Sequence, residues 1–536
     1  MQINIGVQKN IRSWLWIIGL PLIMSFQSHA GSYSTTDGDC DGFARLPVVT
    51  QEGTCLGLVA ARSANNPFKM PRTLVQTPDD KLLVVDMGAW APNKGQLLLL
   101  DYRNPSSPAK VLLGKLNLPH KILYGQDGKI YLSEANRIQR FSWSNGELVG
   151  LETIIDNLPA GVEYLHPLKN FTFDGDANIL VNIGSSSDKC EKKVTLADCV
   201  NGKEASIRRY QFDKKTNKYS TEFEVIARGL RNSMALVVHS SGTILQAENS
   251  MDFPDAEEPY EELNVIAGNK FYGWPLCFNR NLSVDGGDGK QADYQQPWTL
   301  LPPHVAPLDM FYYSHTKLAS LQNKLLMSWH GYRIAGNRLV SYSVDAQGRP
   351  ELQQSAIFWR APVTPAGSYT RHVFSPKGGL VSEQQKSSDR KVAQHSEVIS
   401  QWHEIPGVRP EGAPVGLTQA RDGSIFIVDD RNAAILRLSA GKNYEEQKSV
   451  GRQVTAKSLT PPAAVKTILQ QRCAGCHNEL LQQSNSLLTI NNWLKKQDGK
   501  TQIELKIFED KVRPMPPDGS LTAADRKTLM DWFVTI

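Results

Sequence analysis

Asp127-Gly128-Lys129-Ile130-Tyr131-Leu132 is a polar turn feeding a short apolar run, and the chain repeats it. Asp79-Asp80-Lys81 precedes Leu82–Val85, and Asp174-Gly175-Asp176 precedes Ile179–Val181. Ser241-Gly242-Thr243 precedes Ile244-Leu245, and Gln322-Asn323-Lys324 precedes Leu325–Met327 in weaker form. Asp422-Gly423-Ser424, followed by Ile425–Val428, closes the series. Turn residues before β-rich runs are hairpin signals. Units of roughly 45 residues or more, each with such a turn, suggest propeller blades, with longer insertions between later units. Asn136–Phe141 and Asn432–Leu438 read as the next strands of two blades. The competing arrangement is a pair of β-sandwiches, since such turns are common there too. In a propeller the blade-joining loops converge on the central channel, so a site would be assembled from residues distant in sequence.

Composition narrows the class. The 536 residues carry 59 Lys and Arg against 54 Asp and Glu, a net charge of +5. With no basic block, nothing suggests nucleic acid. Lys9 and Arg12 precede the apolar run Trp14–Phe26, and Ser28-His29-Ala30 follows, which reads as a signal peptide over residues 1–30. The run is too short to span a bilayer, which takes about 20 residues, and no other segment is apolar enough. The expectation is a periplasmic protein with no membrane span in the mature chain. Of seven cysteines, Cys40 with Cys55 and Cys190 with Cys199 are close enough in sequence to be disulfides in an oxidising compartment, and Cys277 is left over. Spacing alone does not fix that connectivity.

The carboxy-terminal stretch reads differently. Lys442–Thr460 is polar and aperiodic, a linker that Pro461-Pro462 ends stiffly. Beyond it lies Cys473-Ala474-Gly475-Cys476-His477, the C-x-x-C-H pattern of covalent haem attachment, with His477 placed as an axial ligand. A zinc half-site would need a second ligand pair and a thioredoxin-like pair a βαβ context; neither is evident. Met515, held among prolines in Arg513–Pro517, is the expected sixth ligand. Met530 reads instead as core, in a helix that Thr522 and Asp525 open as a capping box. Residues 461–536 thus resemble a small class I-type cytochrome c with haem c. The expected fold class is mainly β: a six-bladed β-propeller over 31–441, a linker over 442–460, then an all-α cytochrome c domain.

Four stretches of the body resemble the soluble glucose and sorbosone dehydrogenases that use pyrroloquinoline quinone (PQQ). The most specific runs Gly229-Leu230-Arg231-Asn232-Ser233, Leu245-Gln246-Ala247-Glu248-Asn249, Glu262-Leu263-Asn264, then Tyr272-Gly273-Trp274-Pro275. The others are His166 with Phe171–Asp176 and Asn182-Ile183-Gly184, then Pro303–Leu308, then Pro414–Leu417 with Arg421–Ser424 and Asp429-Asp430. Together they cover most of residues 57–438, and the family fold is a six-bladed propeller.

The resemblance implies that His166 is the general base, taking a proton from a substrate hydroxyl as hydride leaves the carbon. The family commonly has a polar or acidic residue just before this histidine. Here it is Leu165, so the group that orients the ring is open, with Glu163 a candidate. Arg231 and Asn232 match the pair contacting the quinone oxygens, where a cation stabilises developing charge. PQQ is a tricarboxylate, so His304, Arg333 and Arg409 are further candidates for its pocket. Calcium, bound by backbone carbonyls near Asn249, Ser250 and Met251, is the metal the family implies. The acidic run Asp252–Glu262 is either a second calcium site or a solvated face.

The expected activity is therefore oxidation of a sugar, polyol or related alcohol or aldehyde, with electrons passing to the chain's own haem and on to a periplasmic acceptor. The rivals are a calcium-dependent propeller lactonase or hydrolase, and a non-catalytic electron-transfer or binding propeller.

Overall fold

The computed structural model describes residues 33–443 except 105, 162–163, 192–195, 254–258, 280–281, 285–293, 332–335, 355–358, 364–368, 375–379, 382–390, 401 and 403–411; beyond these it describes 462–469, 471, 496–497, 500–501 and 521–533.

Six sheets of four or more strands follow one another along the chain, antiparallel except for the short strand Lys270–Phe271 added in parallel to the third. The first blade is Pro71–Gln76, Leu82–Asp86, Gly95–Leu100 and Lys110–Leu116. The second is Ile122–Tyr124, Ile130–Ser133, Ile138–Ser144 and Glu147–Ile155. The third, Phe171–Phe173, Ile179–Ile183, Ser206–Asp213 and Lys218–Arg228, carries the insertion 184–205 between its second and third strands. The fourth is Ala235–Val238, Ile244–Glu248, Tyr260–Val265 and Thr299–Pro303; the fifth is Pro307–Tyr312, Leu325–Trp329, Arg338–Tyr342 and Ser396–Ser400. The sixth takes Pro414–Gln419, Ile425–Asp429 and Ala434–Ala440 from the far end of the propeller and Thr54–Ala61 from its start. Around the axis the first strands of the first and second, third and fourth, fourth and fifth, fifth and sixth, and sixth and first blades lie side by side. The sandwich alternative falls, because one sheet per hairpin repeat leaves no pair of large sheets to stack.

The second strand of every blade is buried at every residue. It is packed on both faces between neighbouring blades, so it reads as an unbroken apolar run rather than an alternation. The fourth strands Lys110–Leu116 and Glu147–Ile155 are mostly exposed. Their weak patterning hid them from the sequence.

Five of the six repeated turns share one hydrogen bond, from the amide of the residue at the bend to the carbonyl three residues earlier: Asp80 N to Thr77 O, Gly128 N to Gly125 O, Ala177 N to Asp174 O, Gly242 N to His239 O and Gly423 N to Ala420 O. In the weaker sixth, Asn323 N donates instead to Tyr313 O, and Lys324 N to Leu321 O. Asp80, Gly128, Ala177, Gly242, Asn323 and Gly423 all have positive φ at this bend. This is the type I turn with a left-handed residue that joins short hairpins, which is why Gly, Asn and Asp recur there. Two disulfides form, Cys40–Cys55 in the closing blade and Cys190–Cys199 in the third-blade insertion, and Cys277 is buried and belongs to neither.

The carboxy-terminal expectation is corrected. The described residues after 461 form two short helices, Ala463–Ile468 and Ala523–Phe533, packed on each other, and a two-residue ladder, Lys496–Gln497 with Lys500–Thr501. That is not an all-α cytochrome c fold, and the fused haem domain is withdrawn with it. Cys473, Cys476, His477 and Met515 lie outside the described residues. The capping box does form: Thr522 N donates to Asp525 and Asp525 N to Thr522 Oγ1. Met530 is not core but 40% exposed, because Leu529 and Trp532 take the inward positions of that helix. Among the described residues no helix is long and apolar enough to cross a membrane.

The turn argument predicts a backbone effect separable from space. Gly128 and Gly242 have positive φ and Gly114 does not, while an added methyl would meet nothing at any of the three. Gly128→Ala and Gly242→Ala should each cost about 1 kcal/mol in denaturant unfolding, from the left-handed penalty alone. Gly114→Ala should cost nothing.

Candidate active site

In each blade the chain enters the innermost strand, and leaves the second strand, at the end opposite the repeated turns. These loops converge on a cleft of about 290 Å³. Residues just before or at the start of innermost strands supply Met70, Arg72, Leu165 to Leu168, Asn232, Met234, Ala306 and Leu308. Residues just after second strands supply Trp90, Asn249, His330, Asp430 and Arg431.

His166 faces this cleft with one ring nitrogen committed. Nδ1 lies 3.1 Å from the Ser185 carbonyl and 2.9 Å from Ser185 Oγ. Donating Nδ1–H to that carbonyl leaves Nε2 as the bare acceptor. Ser185 therefore does the orienting that Leu165 cannot, and Glu163 lies outside the described residues. Gly184 makes the approach feasible: a β-carbon there would sit 2.5 Å from the His166 carbonyl and 3.3 Å from Asn232 Oδ1. Burial, then the Arg231 charge, then Lys169, push the His166 imidazole down to about 3, against the Ser185 carbonyl, which raises it. The ring is therefore held in its neutral form, with Nε2 carrying its lone pair toward the cleft.

Arg231 does not line the cleft; it stands behind His166 and Asn232. Its guanidinium donates to Asn249 O at 3.0 Å and pairs with Asp188 at 2.8 Å and Asp252 at 3.2 Å. Asp188 comes from the disulfide-closed insertion of the third blade. Arg231 Nε and Asn232 Oδ1 are buried and find no hydrogen-bond partner among the described residues. Below them Glu248 accepts the Arg231 amide at 2.8 Å, and Glu261 accepts the Ser250 and Ala306 amides. Burial raises both carboxyls, Glu261 to about 7.

The opposite wall was not foreseen. Arg72 is 3% exposed and forms an ion pair with Asp430, whose other oxygen takes His330 Nε2 at 2.9 Å. Arg72 Nε also donates to His120 Nδ1 at 3.2 Å. Burial alone would raise the Asp430 carboxyl, but His330 and Arg72 outweigh it and hold it below its ordinary range. Arg431 lines the cleft beside them. A signal existed. His330 and Asp430 follow their second strands as Asn249 follows Ile244–Glu248, so the repeat itself marked them.

Other expectations separate. His304 is on the loop before Ala306 but does not line the cleft, and Arg333 and Arg409 lie outside the described residues. The calcium expectation is corrected. Among the described residues no group of three or more His, Cys, Asp or Glu is arranged to hold a metal ion. At the backbone position proposed for it, the Asn249 carbonyl already accepts a guanidinium, the Ser250 amide is tied to Glu261, and Met251 is packed in core with Trp274.

Comparison with known proteins agrees with this frame. A family model described as TrAA12-like matches residues 57–285. No curated protein matches the chain. A Trichoderma reesei structure of carbohydrate-active enzyme family AA12 is 18% identical, with a TM-score of 0.53 over 74% of this chain and 98% of its own. The holo PQQ domain of Coprinopsis cinerea pyranose dehydrogenase is 17% identical, with a TM-score of 0.53 over 75% of this chain and 99% of its own. The shared property is the fold. The cleft residues above stand on this chain's own geometry.

The Arg72–Asp430 pair gives a test. Asp430→Asn strands a buried guanidinium and should cost about 3 kcal/mol of unfolding free energy at neutral pH. Because the folded carboxyl titrates below its unfolded value, the wild type's advantage should be full above about pH 4 and shrink as pH falls below it. Equal stability of the two proteins at neutral pH would remove the pair from this role.

Proposed function

We propose that this chain is a PQQ-dependent dehydrogenase that oxidises a CH–OH carbon of a sugar or related alcohol. The observation that carries this reading is the cleft-facing Nε2 of His166, left as an acceptor by the Nδ1 bond to Ser185 and set beside the unpartnered Asn232 Oδ1. The likeness in fold to a PQQ domain supports it.

The residues present suit a flat, polyanionic group. Met70, Leu168, Met234 and Leu308 offer apolar walls. Arg72, Arg431 and His330 bring positive or donor groups to one side, and Arg231 backs the other. The cavity is close to the lower end of small-molecule sites, about 300 Å³. When bound, PQQ supplies an electrophilic carbonyl carbon able to accept hydride. His166 holds the substrate hydroxyl through Nε2 and takes its proton, and the Ser185 carbonyl steadies the imidazolium that results. Arg231 contributes positive charge behind the reacting centre, kept in place by Asp188 and Asp252. Asp430 keeps Arg72 and His330 turned to the cleft. The two disulfides support the reading of an exported protein.

The test is direct. The purified chain should bind PQQ in an absorbance titration, and the loaded protein should reduce a dye acceptor with sugars or alcohols. His166→Gln should keep PQQ binding and lose kcat by about 10²–10⁴-fold. A chain that binds no PQQ would end this reading. Trp90, 60% exposed at the rim beside Leu165, should contact the part of the substrate that does not react. Trp90→Ala should then raise KM severalfold and leave kcat within about twofold.

A further inference from the structure

Lys169 has no part in the chemistry above, yet its side chain is 0% exposed. Its ammonium donates to the Pro167 carbonyl at 2.7 Å, one peptide beyond His166. No ion pair joins it to a carboxylate among the described residues. The charge that bears on it is of like sign, Arg208, which donates to Lys203 O and lies 4.0 Å over the Phe223 ring. Burial and then Arg208 push the lysine down to about 7. A buried ammonium without a counter-ion is costly, and it sits three residues from the proposed base.

The segment it belongs to is held by side chains. Ser133 Oγ donates to the Lys169 carbonyl at 2.6 Å, and Asn182 Oδ1 accepts the Asn170 amide at 2.6 Å. Pro167 has no N–H to offer. Lys169 Nζ is therefore what fixes the peptide on one side of His166, as Ser185 fixes the ring on the other.

We propose that Lys169 is a positioning residue for His166: its ammonium anchors the Pro167 carbonyl and so holds the imidazole turned toward Ser185. This rests on His166 as the base and goes beyond it by naming what sets that base. Arg231 bears on the imidazole from the loop before the fourth blade, and Lys169 from its own segment. Arg72, His330, Asp430 and Arg431 stand across the cleft. Removing the Lys169 charge leaves Arg231 in place and makes His166 easier to protonate.

The experiment is ¹⁵N and ¹³C nuclear magnetic resonance of the full chain with labelled histidine, His166 being assigned by the peak lost in His166→Gln. No cofactor or activity is needed, so failure of the dehydrogenase reading is seen separately, as absence of PQQ binding. In the wild type His166 should stay the neutral Nδ1–H tautomer from about pH 8 to about pH 5. In Lys169→Met it should show mixed tautomers, and its midpoint should rise by about one unit, giving partial protonation at about pH 5. Lys169→Gln, which keeps an N–H donor without charge, should restore the tautomer but not the midpoint. If Lys169→Met does not fold, Lys169→Gln decides through the midpoint. A wild-type His166 titrating near its ordinary value of about 6.5 overturns the proposal. So does a Lys169 variant with tautomer and midpoint unchanged. In the loaded enzyme, Lys169→Met should lower kcat about tenfold with little change in KM.

Discussion

The pairing of Thr54–Ala61 with Ala434–Ala440 is the constraint on which the rest depends. It joins chain separated by nearly the whole propeller, and it turns an open row of blades into a ring. A row would leave two sheet edges exposed and no common axis. The Cys40–Cys55 bridge lies in this closing sheet, and Asp41, Lys317, Asp422 and Arg437 knit the fifth blade to the seam. The cleft exists only because the ring closes: Arg72 from the first blade and Asp430 from the sixth form their ion pair across that join. Closure and the candidate site are thus partly the same set of contacts.

What could be read beforehand follows from where on a blade a residue sits. Strands run between two ends of the ring, and the two ends obey different rules. At one end every blade must turn sharply with a residue at positive φ, so Gly128, Gly242, Gly423, Asp80 and Asn323 are chemically restricted, and the repeat shows through. The second strands are pressed on both faces, so Leu82–Asp86 or Ile425–Asp429 spell themselves as apolar runs. At the other end the loops share only a position. Their residues answer to whatever occupies the cleft, so Gly184, Asn249, His330 and Asp430 look unrelated although they occupy equivalent places. His166, Arg231 and Asn232 emerged through resemblance; Arg72 and His330, with looser surroundings, did not. Arg231 is also a lesson in distance: its guanidinium backs the wall instead of forming it.

The carboxy-terminal region shows the limit of a short motif. Cys473 to His477 matches its pattern fully, and Thr522 with Asp525 predicted a helix start that the structure forms. A capping box is a local arrangement, complete within one turn, so its sequence is nearly sufficient for it. A haem domain needs a helical cage around the group, and a five-residue spacing carries no information about that cage. The two short helices, Ala463–Ile468 and Ala523–Phe533, pack on each other and bury Val465, Ile468, Leu529 and Trp532, which gives apolar packing but not that architecture.

Charge placement in the cleft has a common logic. The positive groups in and behind it are paired with acids: Arg72 and His330 with Asp430, which itself lines the cleft, and Arg231, behind the wall, with Asp188 and Asp252. Glu248 and Glu261 do a different task, since they accept backbone amides of Arg231, Ser250 and Ala306 and so tie together the loops that enter the fourth and fifth blades. Burial raises both of these carboxyls, so each is held toward its neutral form without losing its acceptor oxygens. The result is a set of fixed backbone amides with little net negative charge, beside a wall whose cations are held in place by ion pairs. An anionic ligand would then meet oriented donors without forcing the protein to rearrange, while the neutral His166 beside it keeps its free nitrogen for a proton.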